Sequence, residues 1–301
     1  MALYIKTGEY TGNGADNRSI TGVGFTPKLV IVIRTTAGQG ALTMASNPAD
    51  TTYDMQSSSS GNANLIQALQ SDGFEIGSDA KVNNNTQNYK YLCIGGDSTD
   101  ITTGSYTGDS TDNRSITGVG FQPALVIVKG TNNDQIVFHS SGMGNSTDLS
   151  QTFLAVSDDT NAIQALETDG FQVGSATTVN TSATTYYWVA IKANSSLLAS
   201  GTYTGDGTDN RSITGLGFDP SYVWTKRSAS RSVHRNTTYV GDASTSIGSG
   251  GGSAVNQIQS FVTDGFQVGS DGQVNSNTLD YYWMAFKNNT PVTFIPNIMM
   301  S

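Results

Sequence analysis

The 301 residues hold 15 lysines and arginines against 24 aspartates and glutamates, a net charge of −9, with only 13% of the chain charged. That balance excludes a nucleic-acid binder, which needs a basic groove, and it disfavours an anionic membrane surface. The 34 glycines, with Ser, Thr and Asn in place of charge and 36% hydrophobic residues in regular clusters, indicate β-strands joined by polar turns.

The chain opens on Met1-Ala2-Leu3-Tyr4-Ile5-Lys6, which lacks the charged region, apolar stretch and cleavage site of a secretory leader. No apolar run approaches the roughly 18 residues that cross a bilayer. The expectation is therefore folding in a cytosol without membrane insertion. The single cysteine, Cys93, forms no intramolecular disulfide and aligns with Ala190 and Ala285, as a small core filler would.

Self-comparison organises the rest. The block Tyr10 to Phe25 returns as Tyr106 to Phe121 and as Tyr203 to Phe218, at spacings of 96 and 97 residues. Its centre is Asp-Asn-Arg-Ser-Ile-Thr-Gly-x-Gly-Phe. The next element, Leu29-Val30-Ile31-Val32-Ile33, matches Leu125-Val126-Ile127-Val128 and Tyr222-Val223-Trp224. Continuous apolar runs of this length predict strands covered on both faces. Pro27, Pro123 and Pro220 stand just before them, at the mouth of a strand, where a missing donor is tolerated.

Further along, Leu65-Ile66-Gln67-Ala68-Leu69 reads as a strand because the pair Asp72-Gly73 follows it. Asp72-Gly73, Asp169-Gly170 and Asp264-Gly265 have the composition of the two central residues of a type I′ hairpin turn. The strand after each turn alternates, as in Phe171-Gln172-Val173, with one face toward a core. Each copy closes on an aromatic block: Tyr89 to Ile94, Tyr186 to Ile191, Tyr281 to Phe286. We expect six to eight short strands per copy. The predicted fold is all-β, three tandem β-sandwich (jelly-roll-like) modules over residues 1–98, 99–195 and 196–290, in a row or a compact triangle. Residues 291–301 form an apolar C-terminal tail.

Chemistry is sparse. Glu9, Glu75 and Glu167 are the only glutamates, so no acidic pair recurs for glycoside hydrolysis. Asp16, Asp112 and Asp209 lie in Asp-Asn turns, where they shape the backbone. His139 and His234 occupy loosely equivalent places without further ligands at metal spacing, so neither a metal nor a cofactor is expected. Asp109 to Asp112 and Asp206 to Asp209 hint at calcium loops but lack the closing glutamate. The expectation is a protein that is not an enzyme.

Arg18, Arg114 and Arg211 recur in a chain poor in arginine. Clamping the neighbouring turn is the structural reading, and facing a partner or glycan the functional one. Lys226, Arg227, Arg231, His234 and Arg235 form a local basic run, expected as a solvated loop or as a surface for an anionic ligand. Tyr89, Tyr186, Tyr281, Trp188 and Trp283 read as core rather than a stacking platform for sugars.

Taken together, Tyr-Thr-Gly-x-Gly-Thr-Asp-Asn-Arg-Ser-Ile-Thr-Gly-x-Gly-Phe-x-Pro, Val-Trp-x-Lys, Asp-Gly-Phe-x-Val-Gly-Ser and Tyr-Trp-x-Ala resemble a repeat domain of tailed-bacteriophage virion proteins. The third copy matches best, through Phe218, Pro220, Val223, Trp224, Lys226 and Tyr282 to Ala285; the first departs most, with Ile31 for Trp224 and Cys93 in the last block. The resemblance implies a tail appendage, decoration or surface protein of the virion, assembled in the host cytoplasm. Its partners would be other virion proteins, as a homo-oligomer or docked on a symmetric ring. The tail residues Phe294, Ile295, Ile298 and Met299 are candidates for that docking, completion of the third module's sheet being the other reading of the tail. A lectin-like protein binding a host-surface glycan through the variable middles (38–60, 132–159, 228–253) is the rival reading, and a polysaccharide depolymerase the third.

Overall fold

The computed structural model of the chain describes residues 2–55, 61–145, 147–248 and 250–291. Each module pairs a large antiparallel sheet with a three-stranded one. In module 1 the large sheet runs Leu3–Thr11, Asn88–Gly96, Leu29–Arg34, Gly40–Met44, Tyr53–Asp54, and the small one Arg18–Thr21, Gly73–Ile76, Ile66–Gln70. Modules 2 and 3 repeat this order, and module 3 adds one strand, Gly252–Ala254, at the far edge. Among the described residues helix is confined to single turns, such as Ala80–Asn83, and one 3-10 turn, Ser141–Met143.

The continuous apolar strand is explained by what lies on its two sides. Side chains alternate across a strand, so Val30 and Val32 enter a core with the module's own small sheet, alongside Ile20, Phe74 and Ile76. Leu29, Ile31 and Ile33 point the other way, into a second core that all three modules share. Val126 and Val128, and Val223, face inward in their modules, while Leu125, Ile127, Tyr222 and Trp224 enter the common core. The expectation of strands covered on both faces holds, and the second cover is the rest of the chain. Three sandwiches therefore stand as a triangle around a shared centre.

The triangle closes end to end. Ile5 and Asn289 exchange backbone hydrogen bonds at 2.8 Å each way, so the last residues of module 3 lie along the first strand of module 1. Asn289 Nδ2 donates to Leu3 O and Asn236 Nδ2 to Gly8 O. Module 2 joins module 3 through Ser232 N to Phe153 O and Ala229 N to Val156 O. Module 1 meets module 2 through Lys28 Nζ to Ile101 O at 2.9 Å.

The hairpins need a correction of one residue. Gln70 pairs with Gly73, Glu167 with Gly170 and Val262 with Gly265, so the turn residues are Ser71-Asp72, Thr168-Asp169 and Thr263-Asp264. The glycine is required for a different reason: a Cβ on Gly73 would collide with the Ile20 carbonyl of the adjacent strand, and the same holds for Gly170 on Ile116 and Gly265 on Ile213.

Candidate functional site

The side chains that recur in all three copies are the first place to look, and they converge on one turn per module. Arg18 donates to Thr11 O at 2.7 Å, Arg114 to Thr107 O at 2.7 Å and Arg211 to Thr204 O at 2.6 Å. Each guanidinium lies over a tyrosine ring, Tyr10, Tyr106 or Tyr203. Arg114 and Arg211 also pair with Asp109 and Asp206 at 3.3 Å; Asn13 replaces that aspartate in module 1. The suspected calcium-loop carboxylates thus serve the arginine and the Thr111 and Thr208 turns. These contacts fill the clamping role.

A buried asparagine that sequence reading missed completes the hub. Asn83, Asn180 and Asn275 are fully buried. Each accepts from the backbone N–H of Asn13, Asp109 or Asp206 and donates to Ala15 O, Thr111 O or Thr208 O. A Val-Asn pair at equivalent places in every copy was the available signal. Asn17, Asn113 and Asn210 beside it hold φ of 54°, 57° and 58°, a left-handed conformation asparagine tolerates. Below the hub, the Asp72 carboxylate accepts from Gly22 N at 3.0 Å and Gly24 N at 2.6 Å, which holds its pKa below the usual carboxylate range. Asp169 and Asp264 repeat the latch on Gly118 and Gly120, and on Gly215 and Gly217.

The basic run of module 3 is not a solvated loop throughout, because Lys226, His234 and Arg235 are buried. Lys226 ends the strand Tyr222–Lys226 with no exposure, donating to Arg227 O at 2.8 Å and to Ser230 O. Burial lowers its pKa to about 8, as it does for Lys129 at the same place in module 2. His234 and Arg235 sit on the strand Val233–Asn236. Arg235 donates to the carbonyls of Ala243 and Gly241. His234 stacks on Tyr222 with 5.4 Å between ring centroids, and burial, then Lys90, depress its pKa to about 3. Arg231 lies against Gly248 and Gly250. Lys226, His234 and Arg235 thus offer no surface to an anion, while Arg227 and Arg231 are half-buried.

The two histidines are not equivalent either. Ladder register puts Phe138 and Leu42 at the place of His234, and His139 at that of Arg235 and Thr43. At this second place every module sets a donor into its own loop: Thr43 to Thr51 O, His139 between Leu149 O and Gly144 O, Arg235 in its carbonyl cage. Among the described residues no group of three His, Cys, Asp or Glu is placed to hold a metal. Tyr89, Tyr186 and Tyr281 are wholly buried, stacked on Tyr10, Tyr106 and Tyr203, and Cys93 is buried as expected. Phe294, Ile295, Ile298 and Met299 lie outside the described residues.

Two clefts open to solvent lie at the junctions. Between modules 3 and 1, Glu9, Asn88 and Lys90 face Thr238, Tyr239 and Val240 across a cleft of about 270 Å³. Lys90 pairs with Glu9, donates to Thr238 O at 3.0 Å and lies over the Tyr239 ring; Val240 is 89% exposed. Between modules 2 and 3, Asp158 faces Arg227, Ser228, Asp280 and Tyr282 across about 240 Å³. Asn88 and Asp280 stand opposite Thr11 and Thr204, and Lys90 and Tyr282 opposite Glu9 and Thr202, so each pair holds an equivalent place. The two clefts are thus the same feature with different linings. Burial raises the Asp158 pKa, and burial, then the Asp158 and Asp280 carboxylates, raises that of Tyr282. The variable middles contribute these walls, so they differ because each meets a different neighbour.

The chain matches the domain of unknown function DUF7483 three times, over residues 2–95, 96–201 and 193–294, and belongs to that family. No curated protein matches it.

Proposed function

Starting from a chain that is three copies of one such domain, we propose that it is a non-enzymatic structural protein of a tailed-bacteriophage virion, a tail appendage or particle decoration. One observation carries the reading. The polar side chains that recur in every copy (Arg18, Asn83, Asp72 and their equivalents) are consumed inside the modules, so the repeat encodes a scaffold. Closure into a triangle presents three like edges about a pseudo-threefold axis, a geometry suited to a symmetric ring of other virion proteins or to a homo-oligomer. The sequence resemblance points the same way.

Mass spectrometry of gradient-purified particles from lysing cells tests this. The expected result is the chain in the particle band at a fixed ratio to the other structural proteins; its confinement to the soluble fraction would overturn the assignment.

The lectin-like reading is favoured by one feature, the cleft in which Tyr282 stands with Asp158, Arg227 and Asp280. An aromatic face beside paired hydrogen-bonding groups is a chemistry that takes a sugar. A host-glycan array probed with the whole chain and with Tyr282→Ala separates it from pure scaffold. The same cleft holds two aspartates, so release of reducing ends from capsular polysaccharide, abolished in Asp158→Asn, would establish depolymerase activity instead.

A further inference from the structure

Each small sheet has two edge strands, and one of them is Ile66–Gln70, Ile163–Glu167 or Ile258–Val262. Module 2 covers that edge with its own chain. Leu166 N donates to Asn145 O at 2.9 Å, and Gln122 Nε2 donates to Leu166 O at 2.9 Å. Leu69 has the register of Leu166, opposite Phe74 as Leu166 is opposite Phe171. Its backbone N–H and C=O therefore face the same outer edge.

In module 1 the loop around Asn47 stands off from this edge and leaves a cleft of about 330 Å³. Met44, Ile66 and Leu69 give it apolar wall. An open strand edge beside an apolar wall fits an extended polypeptide, and module 2 supplies the precedent with the backbone of Asn145.

The chain itself runs toward this place. After Asn289 pairs with Ile5, Thr290 and Pro291 lie against Gly24, whose N–H is held by Asp72 in the hairpin that ends the same edge strand. Residues 292–301 follow, an apolar segment whose ten residues reach roughly 33 Å when extended. We propose that residues 292–301 seat in the module 1 cleft of their own chain, pairing with the open edge at Leu69 and packing on its apolar wall. This does not rest on the virion assignment.

Hydrogen exchange on the full chain tests it. Phe294→Asp and Ile295→Asp should speed exchange in the peptide 65–70 by about tenfold while the peptide 163–167, already covered by Asn145, stays unchanged. No change at 65–70, or an equal rise in both peptides, overturns the seat. In a Cys93→Ala background, Ala49→Cys paired in turn with cysteine at each of Phe294, Ile295 and Ile298 should give a cross-link within one chain. A cross-link formed only between chains would assign the cleft to a neighbour's tail and overturn the proposal as stated.

Discussion

The inner cores of the three modules and the core they share are built by opposite rules. Inside the modules the same positions carry the same or nearly the same side chains: Tyr10 on Tyr89, Tyr106 on Tyr186 and Tyr203 on Tyr281 stack at 5.1–5.3 Å. At the centre, equivalent positions diverge. Leu29 and Ile31 from module 1 meet Leu125, Ile127 and Phe138 from module 2 and Tyr222, Trp224 and Phe286 from module 3. A close-packed space with three walls is filled once, so large residues on one wall require smaller ones on another. The repeat makes a module, and the departures from it make the triangle and fix which module stands where.

Trp224→Ala is the strongest way to break that comparison. Trp224 is 1% exposed and packs on Phe138, Phe153 and Phe286. A buried aromatic truncated to alanine costs about 3–5 kcal/mol. Because the cavity opens where all modules meet, denaturant unfolding should show the loss and junction amides of all three should exchange faster. Protection lost in module 3 alone would mean that the modules stand independently.

Gly73→Ala probes the other rule. The added methyl meets the Ile20 carbonyl, and strain of this kind costs about 1–3 kcal/mol. Its effect should stay within residues 18–76 by hydrogen exchange; loosening at the Phe153–Ser232 contact would contradict the division.

His234→Phe sharpens the comparison through pH. Phe138 holds the same place in module 2, so the ring fits. His234 is buried neutral, with its pKa near 3 against about 6.5 unfolded, so the unfolded state binds the extra proton below pH 6.5. Its contribution to stability is present above that value and falls as pH drops toward 3. The variant should flatten that part of the stability curve, and an unchanged slope would sink the account. Lys129 and Lys226, with pKa near 8, act at the other end: stability should rise from pH 8 toward about 10.5 as the unfolded lysines alone keep their protons, until the buried tyrosines, whose pKa values are raised, begin to reverse it above 10.

The smallest effect separates Arg211 from Arg18. Both variants lose the carbonyl bond and the tyrosine-ring contact, and Arg211→Ala loses the Asp206 pair as well. Added salt should narrow the difference between the two in thermal unfolding, since partly exposed ion pairs are screened. A difference that ignores salt would assign it to packing on the tyrosine ring.

Legibility followed the same division. The strands, their two-sided burial and the clamping arginines could be read because period and local turn chemistry determine them. The hairpin glycine was placed one residue off because its requirement comes from Ile20, about fifty residues away. The burial of Lys226, His234 and Arg235 was not legible: a charge reads as solvated until something covers it. Here the cover for Lys226 includes Val156 of module 2, and His234 feels Lys90 of module 1. The junction clefts were invisible for the same cause, each being made by two modules.

The pairing of Ile5 with Asn289 carries a consequence in time. Translation at roughly 5–20 residues per second separates completion of module 1 from synthesis of Asn289 by about 10–40 s. Throughout that interval Leu29, Ile31 and Ile33 have no partner from module 3, and a folded first module carries an oily flank. Its neighbours on the same message carry the same flank at the same moment. The danger this architecture creates is therefore an early meeting between nascent chains, before the triangle closes.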